Sequence, residues 1–494
     1  MSVIEVKDLS FAYGGGTPVF DGVSFTLDDN WRLGLIGRNG RGKTTLLNIL
    51  AGKLDYSGSI VARRRFEYFP KEVQDRTAAV GAVIKSIYHC DEDWRILREL
   101  NGLKLDPEIL DAPFNTLSAG EQTKVMLAGM FVTENCLLID EPTNHLDALS
   151  RKTVADWLAK KRGFILVSHD REFLDRCVDH IMSINRNDIT VTGGNCSQWL
   201  YEYEKTQESE REQNDKLKKD IARLNESARQ TAVWADKSER SKFGKDKKSG
   251  LRPDKGFVSA KSARLMKHAK ATEARLERAA EQKSQLFKNT ETSEELKLSP
   301  VAYRAERILE CRKLAPKYGG RPVCKPIDFE LLRGERVALN GGNGCGKSSL
   351  IKLISGENIE YDGSFEIGAG VKISYVPQTA DGLKGKLSDL CTDRGTDKSA
   401  VMTILRKMGF DRALFDCDVI SYSEGQKKKV LLALSLTESA HLYVWDEPLN
   451  YLDLFSRIQL QELIKQYCPT LVFVEHDSAF ASDVATKTVD MVKV

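Results

Sequence analysis

The strongest constraint on the fold of this chain is an internal duplication, because four short motifs occur twice in the same order. The second copy of each motif lies 304, 305, 306 or 307 residues after the first, for the pairs Lys43 and Lys347, Ser118 and Ser423, Glu141 and Glu447, and His169 and His476. Self-similarity at a nearly constant offset is the signature of a repeated structural unit. The 494-residue chain is therefore predicted to hold two copies of one domain in tandem.

The first motif of each copy is a glycine-rich loop between an apolar run and a helical segment. In the first copy the apolar run 33–36 precedes Gly37, Arg38, Asn39, Gly40, Arg41, Gly42, Lys43, Thr44 and Thr45. The second copy has Gly341, Gly342, Asn343, Gly344, Cys345, Gly346, Lys347, Ser348 and Ser349. A G-x-x-x-x-G-K-[ST] motif between a strand and a helix indicates a phosphate cradle, in which backbone amides surround phosphate oxygens. The lysine reaches the outer phosphates, and the hydroxyl after it can ligate magnesium.

Two carboxylates and a histidine follow further apolar runs in each copy. They are Asp140, Glu141 and His169 in the first copy, and Asp446, Glu447 and His476 in the second. An aspartate at the end of a buried strand can hold magnesium, and a glutamate beside it can polarise a water for attack on a terminal phosphate. A single histidine is more often structural, but its place after the other three motifs favours contact with that phosphate.

The order of these motifs, with LSAGEQ at 117–122, IDEP at 139–142 and SHD at 168–170, resembles an ATP-binding-cassette nucleotide domain. The resemblance implies an α/β fold with two tandem cassettes, ATP and Mg²⁺ as cofactors, and hydrolysis of ATP to ADP and phosphate. In that family the signature of one cassette closes over ATP held by the phosphate loop of another. Since both cassettes lie in one chain, we expect a functional monomer whose cassettes pair within the molecule.

The resemblance also implies roles for individual residues. Beyond the two phosphate loops, ATP contacts are implied for Tyr13, Ser118, Gly120, Tyr318, Gln378, Ser423 and Gly425. Implied magnesium ligands are Thr44, Asp140, Ser348, Gln378 and Asp446. Catalytic roles are implied for Glu141, Glu447, His169 and His476.

A segment of about a hundred residues without a strand pattern separates the two copies. Apolar residues recur at helical spacing in its first half, at Leu217, Ile221, Leu224, Ala228 and Ala235. They recur again in its second half, at Leu265, Ala269, Thr272, Leu276, Ala279 and Leu286. Glycines and a proline between 243 and 258 interrupt the helix. The pattern predicts an antiparallel helical hairpin, and domains at 1–198, 199–300 and 301–494.

The turn of this hairpin concentrates positive charge. Residues 237–270 hold twelve basic and three acidic residues, a net charge of +9, whereas the whole chain carries +3. This favours a polyanion such as nucleic acid over a merely solvated face. The tip residues predicted to contact RNA are Lys242, Phe243, Lys245, Lys247, Lys248, Leu251, Arg252, Lys255 and Phe257. Its apolar members either pack on one another to stiffen the tip or project toward RNA bases.

The stretches NHLD at 144–147 and NYLD at 450–453, together with the basic linker, resemble the ABC-F family. That resemblance implies a cytoplasmic, ribosome-associated protein near the tRNA exit site. Large-subunit rRNA and P-site tRNA are its implied partners, with the linker directed toward the peptidyl-transferase centre.

Within ABC-F, the chain resembles the resistance proteins that displace lincosamides, streptogramin A and pleuromutilins. The intervals of 47 residues from Lys71 to Ser118 and 45 residues from Gln378 to Ser423 contain no inserted arm of the kind that housekeeping members often carry. A housekeeping translation factor stays open as the alternative. A twin-cassette importer ATPase is a weaker one, because importers need no such linker.

Two departures from the family pattern concern the site formed by the first phosphate loop and the second signature. Lys71 stands where a glutamine is expected, and Glu424 stands where a glycine is usual. Two cations about 4 Å apart repel by roughly 4 kcal/mol at an effective dielectric of about 20, enough to weaken magnesium binding unless the lysine swings away toward phosphate. Slower hydrolysis is therefore predicted at the first phosphate loop.

Composition favours a reduced, cytosolic environment. The ten cysteines form no CxxC pair or Cys/His cluster, which argues against structural zinc and iron–sulfur sites. No apolar run reaches the roughly 18 residues of a membrane span, and the first ten residues show no secretion signal.

Overall fold

The structure is a computed structural model that describes residues 3–14, 16, 18–144, 146–185, 188–240, 297–342, 344–380 and 382–494, and helical positions 264, 267, 271, 274 and 275. The chain divides into two compact units, Met1–Ser197 with Ser293–Val494, and Gln198–Thr292. The predicted tandem α/β architecture is confirmed in the first unit, where one arrangement of strands and helices occurs twice.

The first cassette follows the predicted order of strands and helices. Its strands are β1 (Val3–Phe11), β2 (Phe20–Asp28), β3 (Arg32–Ile36), β4 (Ser57–Val61), β5 (Phe66–Phe69), β6 (Cys136–Asp140), β7 (Phe164–Val167), β8 (His180–Ile184) and β9 (Ile189–Gly193). Its helices are α1 (Lys43–Leu50), α2 (Val80–Tyr88), α3 (Asp93–Gly102), α4 (Ala119–Met130), α5 (Ala148–Leu158) and α6 (Arg171–Cys177). The apolar runs predicted as buried strands are confirmed as β3, β6 and β7.

The main sheet of this cassette has the order β5-β6-β7-β3-β8-β9 and is parallel except for β9. Its inner strands are apolar on both faces because both faces are covered, which is typical of parallel sheets. A smaller antiparallel sheet has the order β2-β1-β4. Alternation in residues 3–6 predicts an edge strand, and this is wrong, because β1 pairs with β2 on one side and β4 on the other.

A long helix, α7 (Cys196–Arg240), leaves the first cassette. At 1.5 Å rise per residue its 45 residues extend about 68 Å. The first arm of the predicted hairpin is therefore confirmed as a helix. The tip residues Lys242, Phe243, Lys245, Lys247, Lys248, Leu251, Arg252, Lys255 and Phe257 lie outside the described residues, as do the second-arm residues Leu265, Ala269, Thr272, Leu276, Ala279 and Leu286. Among the helices that the structure describes, none is long and apolar enough to cross a membrane.

The second cassette repeats the first. Its strands are β10 (Arg307–Tyr318), β11 (Arg321–Pro322), β12 (Ile327–Leu332), β13 (Arg336–Asn340), β14 (Tyr361–Ile367), β15 (Ile373–Val376), β16 (Leu442–Asp446), β17 (Leu471–Val474) and β18 (Lys487–Asp490). Its helices are α8 (Lys347–Ile354), α9 (Leu387–Asp393), α10 (Lys398–Lys407), α11 (Glu424–Thr437), α12 (Leu454–Tyr467) and α13 (Ser478–Val484).

The strand order of the second parallel sheet, β15-β16-β17-β13-β18, matches β5-β6-β7-β3-β8 strand for strand. In such sheets ligands bind beyond the carboxyl ends of the strands. The phosphate loop, the carboxylate pair and the histidine follow three neighbouring strands in each cassette, so their side chains converge at one edge. The topology therefore builds the same candidate site twice.

Buried aromatic residues hold β16 in place beneath the second site. Tyr443 and Trp445 are fully buried. The Trp445 indole N–H donates to Ser435 Oγ at 3.0 Å, and the Tyr443 hydroxyl donates to the Glu438 carbonyl at 2.9 Å. Because their polar atoms are satisfied, these rings pack without an unpaired donor and fix the strand that ends at Asp446.

Candidate active site

The first cavity, of about 590 Å³, lies between the two cassettes, at the carboxyl ends of β3, β6 and β7. The first cassette lines it with Tyr13, Val19, Asn39, Gly40, Gly42, Lys43, Thr44, Thr45, Asp140, Glu141, Asn144, Val167 and His169. The second cassette lines it with Ser423, Glu424, Gly425 and Tyr451. The structure thus brings the first phosphate loop together with the second signature.

A second cavity, of about 430 Å³, has the reciprocal composition. Its second-cassette lining comprises Val323, Gly344, Gly346, Lys347, Ser348, Ser349, Gln378, Glu447 and His476. The first cassette contributes Ala119, Asn144 and Leu146. The predicted signature residues Ser118 and Gly120 flank Ala119 at the start of α4, and Asn343 lies outside the described residues.

The first phosphate loop is held in shape by a glycine and a buried lysine. Gly42 has φ of +90°, and a Cβ there would lie 2.6 Å from the Val19 side chain, so only glycine fits. The Lys43 ammonium is buried and donates to the Gly37 carbonyl at 2.7 Å. Lys347 repeats this contact with the Gly341 carbonyl at 2.8 Å. Both ammonium groups therefore lie at the inner rim of their loops, where phosphate oxygens are expected.

The other predicted ATP contacts occupy several positions around the two loops. Tyr13 Oη lies 3.1 Å from Thr45 Oγ1, and both Tyr13 and Tyr318 expose 56% of their surface. Gly37 and Gly341 open the loops directly after β3 and β13, Arg41 and Gly342 lie within them, and the Cys345 side chain is buried. Arg38 instead points toward the second cassette, with its guanidinium 5.6 Å from the centre of the Phe455 ring.

In each site the hydroxyl and the aspartate expected to hold magnesium lie together, whereas the Gln378 amide donates to Glu447. Thr44 Oγ1 donates to Asp140 Oδ2 at 2.9 Å, and burial raises the pKa of Asp140. Asp446 is almost completely buried, and its Oδ1 has no hydrogen-bond partner among the residues described. Hydroxyl and carboxylate oxygens are the hard donors that magnesium prefers, and in the second site Asp446 Oδ1 is available because it has no hydrogen-bond partner among the described residues. The residues present therefore fit Mg²⁺, which when bound would neutralise charge on the nucleotide phosphates.

In the first site Glu141 and His169 lie side by side but are poorly bonded. His169 Nε2 is 3.3 Å from Glu141 Oε1, yet that buried oxygen has no hydrogen-bond partner within the described part of the chain. Burial, reinforced by the charge of Asp140, raises the pKa of Glu141 to about 8. Burial and the charge of Lys43 hold the pKa of His169 well below its usual range.

In the second site the corresponding glutamate is firmly held. Glu447 Oε1 accepts a hydrogen bond of 2.8 Å from Gln378 Nε2, and Oε2 accepts one of 2.5 Å from Asn450 Nδ2. His476 Nε2 lies 3.6 Å from Oε1. Burial alone would raise the pKa of Glu447, but the nearby His476 and the hydrogen bonds from Gln378 and Asn450 outweigh it and bring the pKa to about 2. Glu447 is thus an oriented, ionised carboxylate.

The structure corrects the expectation that Lys71 places a cation beside magnesium. The Lys71 ammonium forms an ion pair with Glu67 and lies 4.9 Å from the centre of the Tyr88 ring. The carboxylate four residues back attracts the ammonium away from the phosphate loop, so the predicted repulsion does not arise. What distinguishes the first site is that Glu141 Oε1 has no hydrogen-bond partner among the described residues, whereas Glu447 Oε1 accepts from Gln378.

Unequal turnover at the two sites is expected from this difference. Glu447→Gln should remove most of the ATPase activity and Glu141→Gln less than about half of it, because hydrogen bonds hold the Glu447 carboxylate in a fixed orientation for taking a proton from water. Steady-state phosphate release by the two variants measures this. Gln378→Ala should mimic Glu447→Gln in part, and Lys71→Ala is the matched control that should change little. Equal losses from the two glutamine variants would contradict the inferred inequality.

Sequence reasoning missed contacts that join the cassettes at the first site. The Asn39 backbone N–H donates to Asp453 Oδ2 at 3.1 Å, and Asn39 Nδ2 donates to the Tyr451 carbonyl at 2.9 Å. Asp453 also lies 3.5 Å from the buried Lys429 ammonium. The NYLD stretch marked this loop in the sequence, but only the fold shows that it meets the opposite phosphate loop.

Backbone strain at both catalytic candidates was also invisible in the sequence. Glu141 and Glu447 have φ of +49° and +48°, in the left-handed region that residues other than glycine rarely occupy. The Glu141 backbone N–H donates to the Val167 carbonyl and the Glu447 backbone N–H to the Val474 carbonyl, each at 3.0 Å. Strain maintained identically in two copies is typical of functional positions, where it sets the direction of a side chain.

The chain is similar to known ATP-binding proteins over nearly its whole length. A family model described as ABC transporter matches residues 20–144 and 324–450. The ATP-binding protein Uup of Caulobacter vibrioides is 29% identical over 99% of this chain and 77% of that protein. The ribosome protection protein VmlR of Bacillus subtilis is 29% identical over 97% of this chain and 84% of that protein.

Solved structures show the same tandem fold. One of them is the archaeal ribosome recycling factor aABCE1, determined in complex with the stalk protein aP1. Its superposition on this chain gives a TM-score of 0.61 at 19% sequence identity, and the match covers 98% of this chain and 89% of aABCE1. The relatives Uup and VmlR support the resemblance to ABC-F proteins. The family model matches just over half of the residues and does so once in each cassette. The chain therefore belongs to the ABC transporter family, as an ATPase with two cassettes in one polypeptide.

Proposed function

We propose that this ATPase is a ribosome-protection protein of the ABC-F type, which binds near the tRNA exit site and displaces antibiotics from the large subunit. Its partners would be large-subunit rRNA and P-site tRNA. The drugs proposed are lincosamides, streptogramin A and pleuromutilins. Residues 1–198 and 301–494 would act as the cassettes, and 199–300 as a hairpin that reaches the peptidyl-transferase centre.

One observation carries this proposal: two composite nucleotide sites lie in a chain whose cassettes are separated by a long, basic segment. The helix α7 runs for 45 residues from the first cassette, and a net charge of +9 is concentrated at 237–270. A transport ATPase has no need of such a segment, whereas a protein acting on RNA gains affinity from it. Similarity to VmlR over 97% of this chain supports the same reading.

The composite sites suggest how ATP drives the cycle. ATP held by the first phosphate loop would be closed over by Ser423 and Gly425 of the other cassette, which line the same cavity, and ATP in the second site would be closed over by the start of α4. Each catalytic glutamate accepts a proton from a water whose oxygen attacks the terminal phosphorus, and the bond from that phosphorus to the ADP oxygen breaks. Loss of the terminal phosphate removes the link between the cassettes, which then separate and release the ribosome.

A housekeeping ABC-F translation factor is the second candidate. Uup, whose name records only ATP binding, is as similar to this chain as VmlR is. Both candidates predict ATP-dependent binding to ribosomes, and they differ in whether a bound drug is released. The decisive test uses purified ribosomes carrying a labelled lincosamide or pleuromutilin. Protein with ATP should release the label, whereas binding without release would favour the housekeeping role.

Ribosome association should fall steeply as salt rises, because each phosphate contact releases counterions. The double variant Lys247→Gln with Lys248→Gln should make the negative slope of log affinity against log salt less steep by about 2, because each phosphate contact contributes about 1 to its magnitude. Co-sedimentation with ribosomes across a salt series measures the slope. Lys104→Gln with Lys384→Gln, at two exposed cassette lysines, is the matched control. A salt-independent association, or recovery with membranes instead of ribosomes, would contradict the proposal.

A further inference from the structure

A buried lysine in the second cassette joins three of its motifs. Lys428 lies on α11, five residues after Ser423, and only 2% of its surface is exposed. Its ammonium donates to the carbonyls of Pro377 at 2.7 Å, Gln378 at 3.3 Å and Asp446 at 2.9 Å. The helix that begins at the second signature is thereby bonded to the glutamine loop and to the end of β16.

A buried ammonium is unfavourable unless its donors are satisfied and its charge is balanced. Three carbonyls satisfy all three N–H donors of Lys428. Burial lowers the pKa of Lys428 to about 8, and the negative charge of Glu475 is the largest influence in the opposite direction. Lys428 is thus built into the structure by its contacts with the carbonyls of two other elements.

Glu475 bonds two further elements of the same site. Its Oε1 accepts from the Leu449 backbone N–H at 2.6 Å, and its Oε2 accepts from the His476 backbone N–H at 3.1 Å. Leu449 lies in the loop after Glu447, and His476 lines the second cavity. The carboxylate therefore fixes the histidine loop relative to the catalytic glutamate.

The first cassette has neutral residues at both positions. Thr123 corresponds to Lys428 at the signature offset of 305, and Ser168 corresponds to Glu475 at the histidine offset of 307. Thr123 Oγ1 donates within its own helix, to the Ala119 carbonyl at 3.0 Å. Ser168 Oγ lies 3.4 Å from Thr143 Oγ1. Both charges are thus present in one cassette and replaced together by small hydroxyl residues in the other.

We propose that Lys428 and Glu475 are positioning residues that couple the two ATP sites through the second cassette. Ser423, at the start of α11, lines the first cavity, whereas Gln378 and Glu447, near the contacts of Lys428, line the second. When ATP in the first site draws the second signature onto it, α11 carries Lys428 with it and sets the glutamine loop and the end of β16 for hydrolysis in the second site. Thr123, at the corresponding position of the first cassette, bonds within its own helix instead. This inference rests on the ATPase activity and the composite sites, and it is independent of the ribosome.

The test replaces both residues with those of the first cassette, as Lys428→Thr with Glu475→Ser, so that the second cassette has the same two uncharged residues as the first. ATP turnover is measured over a range of ATP concentrations. We expect a native Hill coefficient above 1 to fall to about 1, and kcat to fall about tenfold with KM within about twofold of native. Lys428→Arg, which keeps the charge and the donors, should retain both the cooperativity and most of kcat.

The matched control is Lys465→Thr with Asp483→Ser, which removes an exposed ion pair of the same cassette whose charged atoms lie 3.1 Å apart. It should change neither kcat nor the Hill coefficient. If the hydroxyl variant melts well below the native protein, the near-isosteric Lys428→Met with Glu475→Gln is measured against the same criteria. A folded variant with native kcat and native Hill coefficient would overturn the proposal, because a purely structural pair can be replaced without uncoupling. A native Hill coefficient of 1 would overturn it as well.

Discussion

Changing Glu141 and Glu447 together to glutamine is expected to lower ATP turnover by a factor of about 10² to 10⁴, the usual contribution of a general base. Glutamine keeps the size of each side chain but cannot accept a proton from water. The phosphate loops, with Lys43 and Lys347, are untouched, so ATP binding should persist. The cassettes should then stay closed on ATP, and the protein should accumulate on ribosomes if the proposed function holds.

Phosphate release and binding of a fluorescent ATP analogue measure the two parts of this prediction separately. Glu108→Gln with Glu462→Gln is the matched control, since it makes the same chemical change at an exposed glutamate in each cassette. Turnover at the native rate in the catalytic double variant would show that these glutamates are not the bases. Loss of ATP binding would show instead that they support the fold of the sites.

The second large effect is expected from Asp453→Ala, which should destabilise the second cassette by about 3–5 kcal/mol. Asp453 and Lys429 are 1% and 3% exposed, and the substitution would leave the Lys429 ammonium buried without its carboxylate. It would also remove the cap of α12, where Asp453 Oδ1 accepts from the Ser456 N–H at 2.9 Å, and the contact with Asn39. For a cassette-sized domain this predicts a Tm lower by about 6 °C or more.

Asp147→Ala is the matched control for that variant, because Asp147 caps α5 in the same way, at 2.8 Å from the Ser150 N–H. Asp147 is only partly buried, so its loss should cost about 1 kcal/mol, the usual value of a helix cap. Scanning calorimetry of the two variants provides the comparison. Equal shifts in Tm would show that the buried ion pair adds nothing beyond the cap.

Much of the fold could be predicted because the determining signals are local. The run 33–36 followed by glycines and Lys43 predicts a strand, a loop and a helix without reference to any distant residue. The repeated offsets predict a second copy of each element. The pairing of a phosphate loop with the opposite signature followed from the family resemblance, and the cavity lined by Lys43 and Ser423 has that composition.

What could not be predicted depends on contacts between residues far apart in sequence. The direction of Lys71 is set by Glu67 and Tyr88, and no pattern in the sequence ranks that ion pair above an approach to magnesium. The contact of Asn39 with Asp453 joins residues 414 positions apart. The bonds of Lys428 require α11, the glutamine loop and the end of β16 to meet. Local patterns carry no information about which of these partners a charged side chain will reach.

Slower hydrolysis at the first phosphate loop is expected from both the sequence and the structure, but for different reasons. The sequence predicts a slower first site because a lysine replaces a glutamine. The structure supports the same inequality for a different reason, since Gln378 donates to Glu447 whereas Glu141 Oε1 has no hydrogen-bond partner in the region the structure describes. The two explanations differ in the expected effect of Lys71→Ala, which should raise activity under the first and leave it unchanged under the second.

The central claim, ATP-driven protection of the ribosome, is tested most directly by antibiotic susceptibility. A sensitive bacterium would express either the native chain or the variant with Glu141→Gln and Glu447→Gln, and the minimal inhibitory concentrations of a lincosamide, a streptogramin A and a pleuromutilin would be measured. The account predicts that the native chain raises them and that the double variant, at equal abundance, does not. Susceptibility unchanged by the native chain, or protection by both forms alike, would contradict it.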